Sequence, residues 1–461
     1  MSSLEINTSR GSAVNTGLQA DPIQSRLDNF PLSKVHYYIW AICTIGFILD
    51  VMDLFLVSFA LPMIIKEWKV SSEVAGLIAS GSMWGMVIGA YAWGILGDRI
   101  GRRGTMQATI LTYSLITGLC ALSWNSITLF IGRFLVGIGL GGFFPVDYAV
   151  LVEFIPAKSR GRLMAYSILT MPIGILLGSL IAYNLGPTWG WRALFVIGAL
   201  PAFLAFLARR VIPESPRYLV SKGKYEEADK VVRWLEEKSG VQTPATTDIK
   251  TYTVKQEAEK VNILELFTSG YVVRTLFTWL LWLTQSLPYF AMGTMLPTLL
   301  IKHYGLPQQE AIKFVSYLTI VAIGGRALAA FLIESVGRKK VLILFSLLAA
   351  IGLAMYNGAE TVRQIFIVAV IACFFYEGTW TSVMLYTAEL FPTRLRSTGA
   401  GSAQAVGRIA SGISPIFVGF MMARSVSTIF YAFAGCFLLM TILVIFFGIE
   451  TKGRPLEEIS K

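Results

Sequence analysis

About twelve apolar runs of roughly 18 residues or more punctuate the chain, each long enough to cross a bilayer. They lie near 36–60, 74–96, 105–123, 127–153, 162–185, 191–211, 272–301, 312–334, 341–357, 364–389, 398–422 and 428–449. In lipid, backbone donors and acceptors must bond within their own segment, so runs of this length fold as helices. Of the 461 residues, 55% are hydrophobic and 15% charged, against about 25% charged in soluble domains. The expected fold class is an all-α membrane protein with twelve transmembrane helices.

A net charge of +11 would suit a polyanionic partner, but the charges are sorted by loop. About 29 of the 39 Lys and Arg fall at the N-terminus, after the even-numbered runs, and in the loops leaving on that same side. The opposite loops hold Lys66, Lys69, Arg192, Lys302, Lys313, Arg363 and Arg424. This positive-inside bias predicts cytoplasmic termini and a multi-pass protein of the plasma membrane, and removes nucleic acid as a partner. Cys43, Cys120, Cys373 and Cys436 all lie in apolar runs without a CxxC pair, and His36 and His303 are isolated. Neither a disulfide framework nor a metal or other cofactor is expected. No nucleophile or nucleotide motif points to an enzyme.

The chain repeats itself. "GDRIGRR" (97–103) is echoed by "IESVGRK" (333–339), "EFIPAKSRG" (153–161) by "ELFPTRLRS" (389–397), and "PESPR" (213–217) by "IETKG" (449–453). Arg102 and Arg338, Pro156 and Pro392, and Glu214 and Glu450 share one offset, which predicts two six-helix halves of the same orientation. The domains expected are a disordered cytosolic tail (1–35), an N-terminal bundle (36–211), a polar linker with short amphipathic helices (212–271), a C-terminal bundle (272–449) and a cytosolic tail (450–461).

Ionisable residues inside apolar runs are costly and mark function. They are Asp50, Asp53, Arg133, Asp147, Arg326, Glu377 and Arg408. Asp50 and Asp53, three residues apart, stand about 60° apart on a helix and share one face. Arg133 lies in a Gly-rich run, "IGRFLVGIGLGGFFP", whose small residues allow close approach of a neighbour. An Asp–Arg pair between these helices is either a fixed structural salt bridge or a proton site that opens when the acid is protonated. Asp147 reads equally as part of a cytosolic network and as a transport residue.

"GDRIGRR", "PESPRYLV", "ELFPTRLRSTG" and "ETKGRPLEE" together resemble the major facilitator superfamily, in its sugar-porter-like and organic-ion-transporter-like branches. The resemblance covers roughly 36–455 and implies a carrier that alternates between outward- and inward-facing states. It implies a proton site at Asp53 with Arg133, tuned by Asp50, the proton being the coupling ion. It also implies a cytosolic gate. Asp98, Arg102 and Arg103 would meet Glu153 and Arg160 in one half. Glu334 and Arg338 would meet Glu389 and Arg396 in the other, with Glu214 and Glu450 joining. Pairs formed when these ends meet would stabilise one state of the cycle.

The substrate follows from what is missing. Helix 7 reads "WLTQSLPYFAMG", with the single Gln285, and helix 5 has Met171-Pro172 where a sugar porter has Gln. That demotes sugars. Phosphate symporters carry an acid where Phe143 stands here. What remains resembles carriers of aromatic acids, nicotinate and other organic anions, which have an Arg on helix 11, as Arg408 is here. Substrate contacts are therefore expected from Arg408, Glu377, Gln285, Tyr289, Tyr376 and Trp380. Arg408 either binds a substrate carboxylate or stands in a salt bridge, Glu377 being the first candidate partner. The function expected is proton-coupled symport of a small organic acid by a monomer. A sugar or phosphate symporter, an uncoupled facilitator and a sensor on the same fold are the alternatives.

Overall fold

A computed structural model describes residues 22–209, 212–240, 263–268, 270–392 and 394–453. Among them there is no strand. The helices are α1 (Pro22–Asn29), α2 (Lys34–Trp68), α3 (Ser72–Ile100), α4 (Arg102–Cys120), α5 (Ser126–Leu140), α6 (Tyr148–Phe154), α7 (Ala157–Leu169), α8 (Met171–Arg209), α9 (Pro216–Ser221), α10 (Tyr225–Ser239), α11 (Val272–Lys302), α12 (Gln308–Val336), α13 (Arg338–Met355), α14 (Val362–Glu389), α15 (Arg396–Met422) and α16 (Val426–Phe447).

Nine helical stretches among the described residues are long and apolar enough to cross a membrane. One of them, Ala157–Pro201, is two crossings, because Gly190 at φ 72° breaks the helix inside α8. That left-handed conformation suits glycine alone without strain. α4 and α11 are also long helices, but carry more Thr, with a Gln in each. With them the twelve expected crossings are present. α2 runs past its expected end at 60, through Pro62, to a left-handed cap at Lys69 with φ 52°. Pro145, which cannot donate a backbone hydrogen bond, sits in a π turn (Phe143–Asp147) between α5 and α6.

The repeat is built as the sequence predicts. Gly101 and Gly337 have φ of 100° and 113° and turn the chain between α3 and α4 and between α12 and α13. A Cβ on Gly101 would lie 2.3 Å from a Glu214 carboxylate oxygen, and one on Gly337 2.5 Å from Glu450. The backbone N–H of Arg102 donates to Glu214 Oε1 at 2.8 Å, and that of Arg338 to Glu450 Oε1 at 2.9 Å. One halves' turn is a copy of the other's.

The halves (α2–α8 and α11–α16) meet through α2 against α11, α3 against α15 and α8 against α12. Away from the basic end, α3 and α15 touch backbone to backbone. A Cβ on Gly76 would lie 2.5 Å from the Pro415 carbonyl oxygen, and one on Gly419 2.4 Å from that of Ser72. Lys302 Nζ donates to Ser72 Oγ at 3.1 Å, and Ser316 Oγ to Ser179 Oγ at 2.9 Å. Towards the middle, Phe55 stacks on Phe290 with centroids 6.2 Å apart. The bundle is thus sealed at the end opposite the basic one.

The expected disorder of the tail does not hold for residues 22–35. α1 packs beside α10, burying Ile23, Leu27 and Phe30. Arg26 donates to Asp229 and Glu236, each at 2.7 Å, and Asp28 accepts from Arg160 at 2.9 Å and Arg217 at 3.1 Å. Low hydrophobicity hid a helix whose apolar face is completed by the linker. α9 and α10 are the short helices expected there, and α10 buries Ala228, Val232 and Leu235 along one face. Residues 1–21, 241–262 and 454–461 of the expected tails and linker lie outside the described residues.

Candidate functional site

Between the halves lies a central cavity lined by both of them. α2 brings Asp50, Val51, Leu54 and Phe55, and α3 brings Met83 and Met86. Leu140 and Met171 complete that wall. The facing wall is Trp282, Ser286, Tyr289 and Phe290 of α11, Trp380 of α14, and Gln404, Gly407, Arg408 and Ser411 of α15. Asp50 and Arg408 both stand at the middle of their helices, on opposite walls.

The aromatic wall is a rigid stack. Tyr289 lies on Trp380 with centroids 4.4 Å apart and an interplanar angle of 29°, and Trp282 meets Trp380 edge-on at 5.7 Å. Offset and edge-on pairs of this kind fix ring positions. Trp282 is further held by its indole N–H, which donates to Thr387 Oγ1 at 3.0 Å. α15 approaches closely because Gly407 has no side chain: a Cβ there would lie 2.8 Å from Ser286 Oγ.

Of the expected substrate residues, Arg408, Tyr289 and Trp380 line this cavity, whereas Gln285, Glu377 and Tyr376 do not. Gln285 is fully buried, donates to the Tyr376 carbonyl at 3.3 Å and accepts from Thr379 Oγ1 at 2.7 Å. Its amide holds α11 to α14. Glu377 is paired with Arg326 at 2.7 Å, not with Arg408. Arg326 also donates to the Tyr289 hydroxyl at 2.9 Å and, across the halves, to the Ile168 carbonyl at 3.3 Å. Glu377, Tyr376 and Tyr289 border a separate, smaller space, which Phe55 also lines.

Asp53 and Arg133 come together, both fully buried. Asp53 Oδ1 accepts from Thr117 Oγ1 at 2.9 Å. Its Oδ2 faces Arg133 Nη1 at 3.6 Å, too far for a hydrogen bond. Arg133 Nη2 donates instead to the Asp53 and Leu54 carbonyls at 3.1 and 3.4 Å. The two aspartates of α2 thus face different surroundings: Asp53 looks into the bundle of its own half, Asp50 into the cavity.

Sequence reasoning missed Arg209. Its guanidinium donates to Asp147 Oδ2 at 2.7 Å, both residues about 1% exposed. It passes α2 at Gly46, where a Cβ would lie 1.7 Å from Arg209 Nη2. The signal for it was Asp147 itself, since an acid in an apolar run needs a cation. Asp147 therefore belongs to a buried pair beside Asp50, not to the charged surface network.

At the basic end, Arg102 meets Glu153 at 3.2 Å and Asp98 at 2.8 Å, and Arg338 meets Glu389 at 3.1 Å and Glu334 at 3.3 Å. Glu389 also accepts from Thr451 Oγ1. Every one of these pairs joins helices of a single half. Arg160 departs from the expectation: it bonds Asp28 of α1 and the Ile155 carbonyl, not Glu153. Arg396 opens α15.

Two six-helix halves around a central cavity, with ion pairs buried among the membrane-spanning helices, define a membrane carrier. The sugar (and other) transporter model matches residues 33–461, and the chain belongs to this family of the major facilitator superfamily. The niacin transporter NiaP of Acinetobacter baylyi is 33% identical over 437 residues, covering 94% of this chain and 99% of that protein. The putative niacin/nicotinamide transporter NiaP of Bacillus subtilis is 30% identical over 416 residues, covering 90% of this chain and 96% of that protein. The inward open conformation of the xylose transporter XylE from E. coli superposes with a TM-score of 0.74 at 18% identity, covering 92% of this chain and 99% of that one. That likeness establishes the fold. The chain is a multi-pass membrane transporter and not an enzyme.

Proposed function

We propose that this transporter works by alternating access and carries a small organic anion, an aromatic carboxylate, in symport with protons. The observation that carries the reading is Arg408 at mid-membrane depth in a cavity walled by Trp282, Tyr289, Phe290 and Trp380. A guanidinium fork matches a carboxylate with two parallel bonds, and stacked rings suit a flat apolar body. Gln404 is the single side-chain amide among the lining residues, too few to replace the water around a sugar's hydroxyls. The niacin-carrying relatives favour the same substrate class. Protons are assigned to the Asp53–Arg133 pair, and no other cofactor is invoked. The basic end is taken as cytoplasmic by the positive-inside rule, and the unit as a monomer.

The test is binding of benzoate and of its amide to purified protein. Arg408→Lys keeps a point charge but loses the fork. It should weaken benzoate binding about tenfold or more, and leave benzamide affinity within about twofold. Unchanged benzoate affinity, or a sugar that outcompetes every acid tried, would end the organic-anion reading.

A further inference from the structure

The ion pairs of the basic end each stay within one half, whereas Arg326 bonds across the two. It lies in α12, fully buried, and all three nitrogens of its guanidinium are bonded. Nε donates to Glu377 Oε2 at 2.7 Å and Nη2 to the Tyr289 hydroxyl at 2.9 Å, both in its own half. Two bonds fix the plane of a rigid guanidinium fork. Nη1 is thereby aimed at the other half, where it donates to the Ile168 carbonyl at 3.3 Å.

Pro172 is what leaves that carbonyl open. Ile168 stands in the last turn of α7, four residues before Pro172. In a continuous helix the N–H of residue 172 would bond the carbonyl of residue 168, and proline has none. The chain breaks at Thr170, whose N–H turns back to the Ser167 and Ile168 carbonyls, and α8 begins at Met171. A carbonyl has two lone pairs, so Ile168 can accept a second bond. The acceptor is also held in place by its own half. The Trp40 indole N–H of α2 donates to the Leu163 carbonyl and to Ser167 Oγ, each at 2.9 Å, and Thr44 is bonded to Ser167 at 2.9 Å. Pro172 and Glu377 border the same small space, so the break between α7 and α8 faces the Arg326–Glu377 pair.

We propose that Arg326 is a positioning residue of the transport cycle, which favours the arrangement sealed opposite the basic end by docking on the carbonyl that Pro172 leaves open. This rests on the alternating-access part of the proposed function and is independent of the substrate. When the halves move, the Glu377 and Tyr289 bonds travel with Arg326 and the Ile168 bond is given up. A bond made in one state alone shifts the balance between states, which a bond within one half does not. Tyr289 is part of the substrate wall, so one guanidinium ties the shape of that wall to the approach of the halves.

The experiment measures, by pulsed electron resonance, the separation of spin labels on cysteines placed in α3 and α15 near the sealed end. It uses the full chain in lipid nanodiscs without ligand. Arg326→Lys keeps a charge beside Glu377 but has one nitrogen for three partners. The ratio of long to short separations should rise about tenfold, the worth of one hydrogen bond from a charged group. Pro172→Ala leaves every charge in place and supplies the missing N–H, which competes for the Ile168 carbonyl. It should raise the same ratio about threefold, and it decides the matter even if the lysine variant does not fold. The double variant should match Arg326→Lys alone, because one bond can be lost only once. A parent-like distribution in either single variant would overturn the proposal. So would a double variant whose ratio is the product of the two single effects, the mark of two unrelated disturbances. No substrate is needed, so a failed carboxylate reading of Arg408 leaves these outcomes unchanged. If the parent shows one separation at every pH and with every acid tried, alternating access itself has failed and the proposal falls with it.

Discussion

At the scale of single residues, Asp50 and Asp53 stand out in the sequence because two acids inside an apolar helix are costly and need a partner or a function. Their division of labour was not legible. Sixty degrees of separation around a helix looks like one face on a sequence, yet it is enough to turn Asp53 into its own half and Asp50 into the cavity. Asp53 is held by Thr117 on one oxygen, while the other stands 3.6 Å from Arg133 without a hydrogen bond. Protonating Asp53 therefore breaks no direct bond to Arg133, whose Nη2 keeps its two backbone carbonyls. Asp53→Asn mimics the protonated state permanently. In proteoliposomes it should cut pH-gradient-driven accumulation of labelled benzoate by about tenfold or more, while exchange of internal for external benzoate continues. Normal accumulation by the variant would make the pair a structural salt bridge.

At the scale of elements, twelve crossings and their repeat could be read from apolar runs and three echoed motifs, because both are local and periodic. What escaped were features that depend on a neighbour. Gly46 has meaning only because Arg209 crosses α2 there to reach Asp147, and α1 is a helix only because α10 covers its apolar face. The glycines joining α3 to α15 belong to the same class. Gly76 and Gly419 let two backbones touch at the sealed end, and no single-helix pattern announces which helix will be the partner. Gly76→Val should drive a wedge against the Pro415 carbonyl. The sealed arrangement would lose several of its closest contacts, while the other state of the cycle gives up none of them. Cysteines placed on α3 and α15 near that end, spin-labelled and measured by pulsed electron resonance, should show a longer mean separation than in the parent. A distribution identical to the parent's would mean that the seal does not depend on this contact.

At the scale of the whole molecule, the question is what the charges of the basic end do for two halves that must move against each other. The motif resemblance suggested pairs that form when these ends meet and so favour one state. In the structure Arg102–Glu153 and Arg338–Glu389 each join helices of one half, and Glu214 and Glu450 hold the backbone at the starts of α4 and α13, each within its own half. An interaction internal to a rigid body contributes equally to every state in which that body stays intact, so removing it cannot shift the equilibrium between states. It does lower the stability of the half that contains it. Both acids are only partly buried, at 11% and 24% side-chain exposure, so losing either pair is worth about 1–2 kcal/mol rather than the larger cost of a fully buried ion pair. Glu153→Gln and Glu389→Gln should therefore each lower the melting temperature by a few degrees, by similar amounts because the two turns repeat one geometry. The double variant should show nearly the sum, since the sites lie in different halves and share no partner. The distance distribution between α3 and α15 should stay that of the parent, unlike the one expected for Gly76→Val. If Glu389→Gln instead redistributes those distances as strongly as the wedge does, the network acts between states after all, and the two halves are coupled through their charged ends.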